Sequence, residues 1–343
     1  MGSEMCIRDR DKIIFYGGGA WGQALAIALS NCNAKSSILV SDKKRMESLN
    51  NGITKCFPDI IFPKNIYVSN DKSILREADI VFITTQSFRV QDAVNEVLSS
   101  NPNVKIILTS KGFANDKGEL FSEIISKKYP NLTYGILTGP TFASEVAKNL
   151  PSAAIIASDS EIFSKNVSTL FSNSCLRLYP SDDVIGASVS GAIKNIFAIG
   201  TGISDGLKLG ENAKSAIITR GIAELSQIIL KLGGKKETAF GLAGIGDMFL
   251  TCSSPTSRNM KYGLDLAQNK NNKNIPLVEG LYALKSAKYL SDLYKLDTPI
   301  INSIFDYIYN NKSIDKIILN LLNRPIGIEF KNWKVFKNEF LVI

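Results

Sequence analysis

The feature that most constrains this chain is the glycine pattern GGGAWG at residues 17–22, which follows the apolar run at residues 12–16. That run predicts a β-strand, and residues 22–30 have helical spacing. A G-x-G-x-x-G turn between a strand and a helix is typical of dinucleotide binding. Gly17 would permit the tight turn, Gly19 a close approach to a pyrophosphate, and Gly22 close packing of helix on strand.

Short apolar runs alternate with amphipathic segments through the first half of the chain. Strands are predicted at residues 12–16, 38–40, 80–83, 104–108, 134–137 and 153–157. Helices are predicted between them at residues 22–30, 43–50, 90–98 and 120–129. This alternation predicts a mainly parallel sheet with crossover helices, which is the doubly wound Rossmann type of α/β domain.

In the second half the strand signals fade and helical periods replace them. Helices are predicted at residues 213–232, 262–268, 278–294, 300–309 and 313–322. The chain of 343 residues is thus expected to hold two domains: a Rossmann-type domain at 11–182 and an all-α domain at 183–343. Residues 1–10 (MGSEMCIRDR) are expected to be a disordered leader, or one not native to the gene. They lack the apolar run of a signal peptide.

Composition excludes several classes of function. The chain has no histidine, so Ser-His-Asp and Cys-His nucleophiles and histidine metal sites are excluded. Its five cysteines form no C-x-x-C pair, which predicts no metal site and favours reduced thiols in the cytoplasm. The net charge of +8 comes without a run of five or six like charges, so an anionic small molecule is expected as partner, not nucleic acid.

Lys194 is the strongest single candidate for catalysis. It is the only charged residue in the apolar stretch 184–203, which is long enough to span a membrane. The stretch is rich in Gly, Ser and Ala and has no aromatic belt, which favours a buried helix in a core and no integral membrane segment. Burial would lower the lysine pKa toward the range useful for proton transfer. The alternative is a lysine whose chain reaches the surface.

Further polar candidates lie at the ends of predicted strands and in the helical half. Lys111 follows the strand at 104–108, and the turn at 139–143 follows the strand at 134–137. Ligands in open α/β sheets bind at these carboxyl ends. Asp247 ends a glycine-rich segment, and Arg258 could bind a phosphate through its planar fork. Each could also be an ordinary turn or helix cap.

Cofactor preference depends on the residues that follow the second predicted strand. Asp42 lies where an acidic group usually holds the adenine ribose of NAD. Lys43, Lys44 and Arg45 come next and could meet the 2′-phosphate of NADP. The two effects nearly cancel, so use of both NADH and NADPH is expected, with less than roughly a hundredfold bias.

Seven segments in order resemble bacterial NAD(P)-dependent glycerol-3-phosphate dehydrogenases, from about residue 12 to about residue 322. The segments are GGGAWGQALA (17–26), TSKG (109–112), LTGPTFASEVA (137–147), GAIKNIFAIGTGISDGLKLGENAKSAIITRG (191–221), GLAGIGDMFLTC (241–252), SRN (257–259) and VEG (278–280). The resemblance implies NAD(P)H-dependent reduction of dihydroxyacetone phosphate to sn-glycerol 3-phosphate. That product is a precursor of phospholipids. The resemblance also implies a cytoplasmic enzyme that forms a homodimer.

The resemblance also implies roles for individual residues, with Lys194 as the catalytic residue. The implied cofactor contacts are Gly17, Gly19, Ala20, Trp21, Gly22, Ser41, Asp42, Lys111, Ala143, Arg258, Leu277 and Glu279. The implied substrate contacts are Lys111, Gly139, Thr141, Lys194, Asp247, Ser257, Arg258 and Asn259.

The chain departs from the family pattern at two places. Ser41 stands where relatives often carry a basic residue or histidine, which weakens any preference for NADPH. Residues 85–87 read Thr-Gln-Ser where Val-Pro-Ser is common, which concerns the loop on the cofactor side. Two alternatives stay open: a lysine-dependent ketoacid or ketopantoate reductase of the same build, and a dinucleotide-binding sensor without catalysis.

Overall fold

A computed structural model describes residues 12–32, 34–254, 256–269 and 278–325. The leader at residues 1–10 lies outside the described residues. So do Leu277 and most of the polar loop at 268–274.

The N-terminal half forms one sheet of eight strands in the order β3-β2-β1-β4-β5-β6-β7-β8. The strands are β1 (Ile13–Tyr16), β2 (Ser36–Leu39), β3 (Ile66–Ser69), β4 (Ile80–Ile83), β5 (Lys105–Leu108), β6 (Tyr134–Thr138), β7 (Ser152–Ala157) and β8 (Leu176–Ser181). The first six run parallel. Their order 3-2-1-4-5-6 is that of a Rossmann sheet, so the predicted fold class is confirmed.

The last two strands differ from a purely parallel sheet. β7 pairs antiparallel with β6, and β8 runs parallel to β7. The apolar run of β7 predicts a buried strand but carries no information on its direction. β3 and β8 were not predicted, because both lie at sheet edges and mix exposed with buried side chains, as Tyr67 and Arg177 show.

Helices cover both faces of this sheet. They are α1 (Ala20–Ser30), α2 (Lys43–Asn50), α3 (Val90–Ser100), α4 (Phe121–Lys128), α5 (Ala143–Ala147) and α6 (Glu161–Leu170). Alternate strand residues enter two separate cores: Phe15 packs with α1 on one face, and Val81 packs with α3 on the other. Burial on both faces explains why the central strands read as continuous apolar runs.

The C-terminal half is helical, as predicted. Its helices are α7 (Val184–Gly206), α8 (Glu211–Lys231), α9 (Asp247–Ser253), α10 (Arg258–Ala267), α11 (Glu279–Tyr294), α12 (Pro299–Tyr309) and α13 (Ile314–Leu322). Among the described helices, α7 alone is long and apolar enough to cross a membrane, yet 89% of its most apolar window is buried. Helices α8 to α12 pack around it, so α7 is the core of this half.

Helices α7 and α10 touch through their backbones. A Cβ added to Gly202 would lie 2.0 Å from the carbonyl oxygen of Met260, and one added to Gly263 would lie 2.1 Å from that of Ile199. Any larger side chain at either position would have to push the helices apart. The crossing therefore fixes α10, which carries Arg258, against the helix that carries Lys194.

A buried carboxylate outside the predicted site joins α8 to α12. Glu224 is 2% exposed. Its two oxygens accept hydrogen bonds from the backbone N–H groups of Ile300 and Ile301 at 2.6 and 3.0 Å. Burial raises the pKa of Glu224 to about 8, although these two donors oppose the shift. The side chain thus satisfies two of the free N–H groups at the start of α12.

Candidate active site

The glycine-rich turn joins β1 to α1. Gly17 has φ 124°, which favours glycine, and a Cβ on Gly22 would lie 2.1 Å from the carbonyl oxygen of Gly17. No described atom lies within 4 Å of a Cβ placed on Gly19, the N-cap of α1. The backbone is therefore open to a ligand where the helix presents free N–H groups, which fits a pyrophosphate. Ala20 and Trp21 form the first turn, with Trp21 packed partly on the core.

The end of β2 lies beside this turn, because β2 pairs with β1. Asp42 is the N-cap of α2, and its Oδ1 accepts a hydrogen bond from the backbone N–H of Lys44 at 3.0 Å. Ser41 is exposed. The Nη1 atom of Arg45 lies 3.5 Å from the carbonyl oxygen of Gly18. Basic and acidic side chains thus both border the place where an adenine ribose would lie.

The next strands along the same edge bring Lys111 and Gly139 together. β5 and β6 are neighbours, and the Nζ atom of Lys111 lies 3.3 Å from the carbonyl oxygen of Gly139. Thr141 Oγ1 donates to the same oxygen at 3.2 Å, and Ala143 begins α5. β5 is two strands from β1, so this position is about 10 Å along the edge from the glycine-rich turn.

Three charged side chains meet at this edge: Lys194 and Asp247 are buried, and Lys111 is partly buried. Lys194 Nζ donates to Asp247 Oδ1 at 2.5 Å, and Lys111 Nζ donates to Asp247 Oδ2 at 2.7 Å. Lys194 is 6% exposed and Asp247 1%. Lys194 also donates to Thr251 Oγ1 at 2.8 Å. One carboxylate therefore bridges a lysine of the sheet domain and a lysine of the central helix.

The electrostatics of the cluster follow from its burial. Burial lowers the pKa of Lys194 to about 8; the charge of Asp247 opposes this shift, and that of Lys111 adds to it. With both lysines protonated, two cations share one anion, which leaves one positive charge uncompensated within the cluster. Such a site attracts an anionic ligand. Lys194 can also give up or take a proton near neutral pH.

The local backbone explains how Asp247 reaches the cluster. Residues Leu242–Gly246 form one turn of π-helix directly before α9. Gly244 is packed so tightly there that a Cβ would lie 2.1 Å from the carbonyl oxygen of Ala239. Turns of this type recur at functional sites because they re-aim the residues that follow. Thr251 lies one turn after Asp247 and donates to its backbone carbonyl at 2.6 Å.

Thr251 was not among the residues predicted from the sequence. The available signal was its i, i+4 spacing from Asp247, which places both side chains on one face of α9. That spacing is common on any helix, so it acquires meaning only when Lys194 is seen to contact both.

The substrate candidates on α10 have different local partners. Ser257 is the N-cap of α10 and accepts from the backbone N–H of Met260 at 3.4 Å. Asn259 is buried, and its Oδ1 accepts from the backbone N–H of Gly280 at 3.0 Å. Arg258 is exposed at the first turn, and its guanidinium has no hydrogen bond or ion pair to another described residue.

Glu279 lies where the positive groups converge. Burial raises its pKa, whereas the charges of Arg258, Lys111 and Lys194 oppose that rise. Arg258 and both lysines therefore each act electrostatically on this one carboxyl group. Leu277, the other predicted cofactor contact on this segment, lies outside the described residues.

Two family models match the chain over most of its length. They are the N-terminus of NAD-dependent glycerol-3-phosphate dehydrogenase, at residues 12–164, and the C-terminus of the same family, at residues 183–319. A glycerol-3-phosphate dehydrogenase of the NAD(P)+ type from Nitrosomonas europaea is 35% identical over 327 residues, which cover 93% of this chain and 99% of the relative.

Solved structures agree with these matches. The crystal structure of glycerol-3-phosphate dehydrogenase from Coxiella burnetii has a TM-score of 0.84 and 32% identity, over 92% of this chain and 99% of that chain. A ketopantoate reductase from Ralstonia eutropha has a TM-score of 0.56 and 14% identity, over 90% of this chain and 99% of that chain, which shows the fold alone. The chain therefore belongs to the NAD-dependent glycerol-3-phosphate dehydrogenase family.

Proposed function

We propose that this protein reversibly reduces dihydroxyacetone phosphate to sn-glycerol 3-phosphate with NADH or NADPH. The observation that carries the proposal is the charged cluster of Lys194, Asp247 and Lys111 at the carboxyl edge of the Rossmann sheet. The cluster offers a proton donor and an uncompensated positive charge, and it lies about two strands from an open glycine-rich turn.

The cofactor would be held by residues of the turn and of the strand ends. When bound, it supplies a hydride to the substrate carbon. Gly19 leaves room for the pyrophosphate, Trp21 lies in the first turn of α1, and Ala143 begins the helix that packs on α1. The full proposed set is Gly17, Gly19, Ala20, Trp21, Gly22, Ser41, Asp42, Lys111, Ala143, Arg258, Leu277 and Glu279.

Lys194 would act as the general acid in reduction and as the general base in oxidation. Its Nζ gives a proton to the C2 oxygen of the ketone, so that one hydride and one proton together complete the alcohol. Asp247 and Thr251 hold the Nζ atom through hydrogen bonds of 2.5 and 2.8 Å. These contacts leave one of the three ammonium donors for the substrate oxygen.

The phosphate group would bind between α10 and the sheet edge. Arg258 offers a free planar guanidinium, Lys111 adds a second positive charge, and Asn259 lies buried on the same helix. Gly139, Thr141 and Ser257 complete the proposed substrate set. Their contacts fix the loop after β6 and the start of α10.

Arg258→Lys is expected to raise KM for dihydroxyacetone phosphate by about tenfold with a smaller change in kcat. The lysine keeps the charge but loses the fork that binds two phosphate oxygens at once. Steady-state kinetics with varied substrate measures the effect. Arg177→Lys, at an exposed position on β8, is the matched control and should leave KM unchanged. Equal turnover of phosphorylated and unphosphorylated ketones by the parent enzyme would contradict phosphate binding by Arg258.

The pH dependence should differ between the two directions of reaction. Reduction needs protonated Lys194, whose pKa burial lowers to about 8, so kcat/KM for reduction should fall as pH rises through that value. Oxidation needs the neutral amine, so kcat/KM for glycerol 3-phosphate should rise over the same interval. Initial rates from pH 6 to 10 in both directions test this. Parallel profiles would exclude Lys194 as the titrating group.

The direct test is oxidation of NADH and NADPH by the purified protein, each with dihydroxyacetone phosphate or ketopantoate. Turnover with dihydroxyacetone phosphate supports the proposal. Turnover with ketopantoate alone would instead identify the related reductase. Cofactor binding without turnover of either ketone would identify a sensor.

The cellular setting of the proposed reaction is the supply of sn-glycerol 3-phosphate for phospholipid synthesis in the cytoplasm. Among the described cysteines, Cys56, Cys175 and Cys252 form no disulfide, which is compatible with the proposed reducing compartment. The homodimer stays a prediction, and sedimentation equilibrium would measure it.

A further inference from the structure

Two side chains that were not predicted as site residues hold the glycine-rich turn in place. Thr84, the residue after β4, donates through Oγ1 to the carbonyl oxygen of Gly17 at 2.8 Å. Gln23 of α1 donates through Nε2 to the carbonyl oxygen of Gly18, also at 2.8 Å. Two successive carbonyl oxygens of the turn therefore point at donors within the protein.

The Thr84 hydroxyl lies where β1, the turn and α1 meet. Besides its contact with Gly17, its Oγ1 lies 3.1 Å from the carbonyl oxygen of Tyr16, the last residue of β1. A Cβ on Gly22 in α1 would lie 2.7 Å from the same Oγ1 atom. The backbone N–H of Thr84 donates to the carbonyl oxygen of Tyr16 at 3.0 Å. The hydroxyl is therefore fixed to the sheet, and through it the turn is fixed to the sheet as well.

Gln23 holds the next carbonyl independently of Thr84. Its side chain is buried, and its Oε1 accepts a hydrogen bond from Thr54 Oγ1 at 2.5 Å. Because that donor occupies the amide oxygen, the amide NH2 group faces the carbonyl of Gly18. Loss of one of the two contacts would therefore release one carbonyl of the turn and leave the other in place.

The direction of these carbonyls sets the direction of the neighbouring N–H groups. The described residues contain no cis peptide bond, and in a trans peptide the C=O and N–H groups point in opposite directions. The carbonyl of Gly17 is directed at Thr84, so the N–H of Gly18 points away from Thr84. By the same rule the N–H of Gly19 points away from Gln23. Among the described residues neither N–H donates a hydrogen bond, so both are available to an anion at the turn.

We propose that Thr84 is a positioning residue for the cofactor pyrophosphate. Its hydroxyl keeps the Gly17 carbonyl turned inward, so that the Gly18 N–H points at the pyrophosphate. The inference rests on the proposed function, because it places NADH or NADPH at this turn. Without the hydroxyl, the carbonyl loses this donor, and the peptide unit between Gly17 and Gly18 is free to rotate. Rotation turns the N–H away from the phosphate and brings the carbonyl oxygen, with its partial negative charge, toward it.

The test is calorimetric binding of NADH, NADPH and ADP-ribose to the parent protein, Thr84→Ala and Thr84→Ser. Thr84→Ala should bind all three ligands about tenfold more weakly, because all three carry the pyrophosphate. Thr84→Ser keeps the hydroxyl and loses the methyl group, so its affinities should stay within about twofold of the parent. Ser168→Ala is the matched control. It removes a hydroxyl that donates to the carbonyl oxygen of Leu178 in the edge strand β8 at 2.6 Å, and it should leave all three affinities unchanged.

Binding of adenosine separates positioning of the turn from a general distortion of the site. Adenosine carries no phosphate, so its dissociation constant, measured by displacement of NADH, should be the same in the parent and in both Thr84 variants. If Thr84→Ala does not fold, Thr84→Val also lacks the hydroxyl and should show the same loss.

The possible outcomes separate this inference from the function on which it rests. Unchanged affinities in Thr84→Ala, equal losses in Thr84→Ala and Thr84→Ser, or a matching loss for adenosine would overturn the role of the hydroxyl alone. A loss confined to one of the three nucleotides would overturn it too, because the pyrophosphate is common to all of them. A parent protein that binds none of the three would overturn the proposed function together with this inference.

Discussion

Replacing Lys194 with alanine should lower kcat by roughly 10²–10⁴-fold and leave the dissociation constants of NADH and NADPH nearly unchanged. The variant loses the proposed proton donor to the C2 oxygen. The glycine-rich turn is untouched, and Lys111 still pairs with Asp247 at 2.7 Å. Stopped-flow measurement of hydride transfer, with fluorescence titration of the cofactor, separates the two effects.

Controls for this experiment address folding. Lys194→Met keeps most of the side-chain volume and should show the same loss of kcat. Lys235→Ala removes an exposed lysine whose partner is Asp182 at 2.6 Å, and it should leave turnover unchanged. Turnover within tenfold of the parent in both Lys194 variants would show that another group donates the proton.

Asp247→Asn should lower kcat by roughly 10²-fold and destabilise the fold by about 3–5 kcal/mol, because two lysines then lose their shared counter-ion. The amide keeps the shape of the side chain but can no longer oppose the effect of burial on the pKa of Lys194. That pKa should fall below its present value of about 8. Less of the protonated acid is then present at neutral pH.

The destabilisation should itself depend on pH. The pKa of Lys194 is lower in the folded protein than in the unfolded chain, so the unfolded chain binds more protons at alkaline pH, and stability rises with pH there. Urea unfolding should therefore show a larger loss in Asp247→Asn at pH 6 than at pH 9. Asp182→Asn, which breaks the exposed pair with Lys235, is the matched control and should leave the free energy of unfolding nearly unchanged at both pH values. A pH-independent loss would contradict an ammonium group as its source.

Much of the N-terminal fold was predictable because the central strands are buried on both faces and therefore have continuous apolar sequences. β3 and β8 were missed since edge strands mix exposed and buried positions, as at Tyr67 and Arg177. The reversed direction of β7 was also missed, because side-chain periodicity is the same in parallel and antiparallel strands. Strand pairing is a property of the whole sheet, and no local pattern records it.

The candidate site was likewise predictable from the sequence only in part. Lys194 could be singled out because a lone lysine in an apolar stretch conflicts with its surroundings, and such conflicts often mark function. Its partner Asp247, 53 residues later, was a candidate because it ends a glycine-rich segment, but no local pattern pairs it with Lys194. Arg45 could not be separated from Lys43 and Lys44, because three adjacent residues on a helix point in different directions and only the packed structure shows which one faces the turn.

The direct contact of α7 with α10 fixes the spacing between the two helices. Lys194 lies on one helix and Arg258 on the other, and Gly202 and Gly263 let the two backbones meet without an intervening side chain. The distance between the backbones that carry Lys194, the proposed proton donor, and Arg258, the proposed phosphate ligand, is therefore set by main-chain contacts, which cannot repack as side chains do. The length of phosphorylated ketone that the site accepts would then depend on Gly202 and Gly263, which lie in the interior of the helical domain and are not among the proposed substrate contacts.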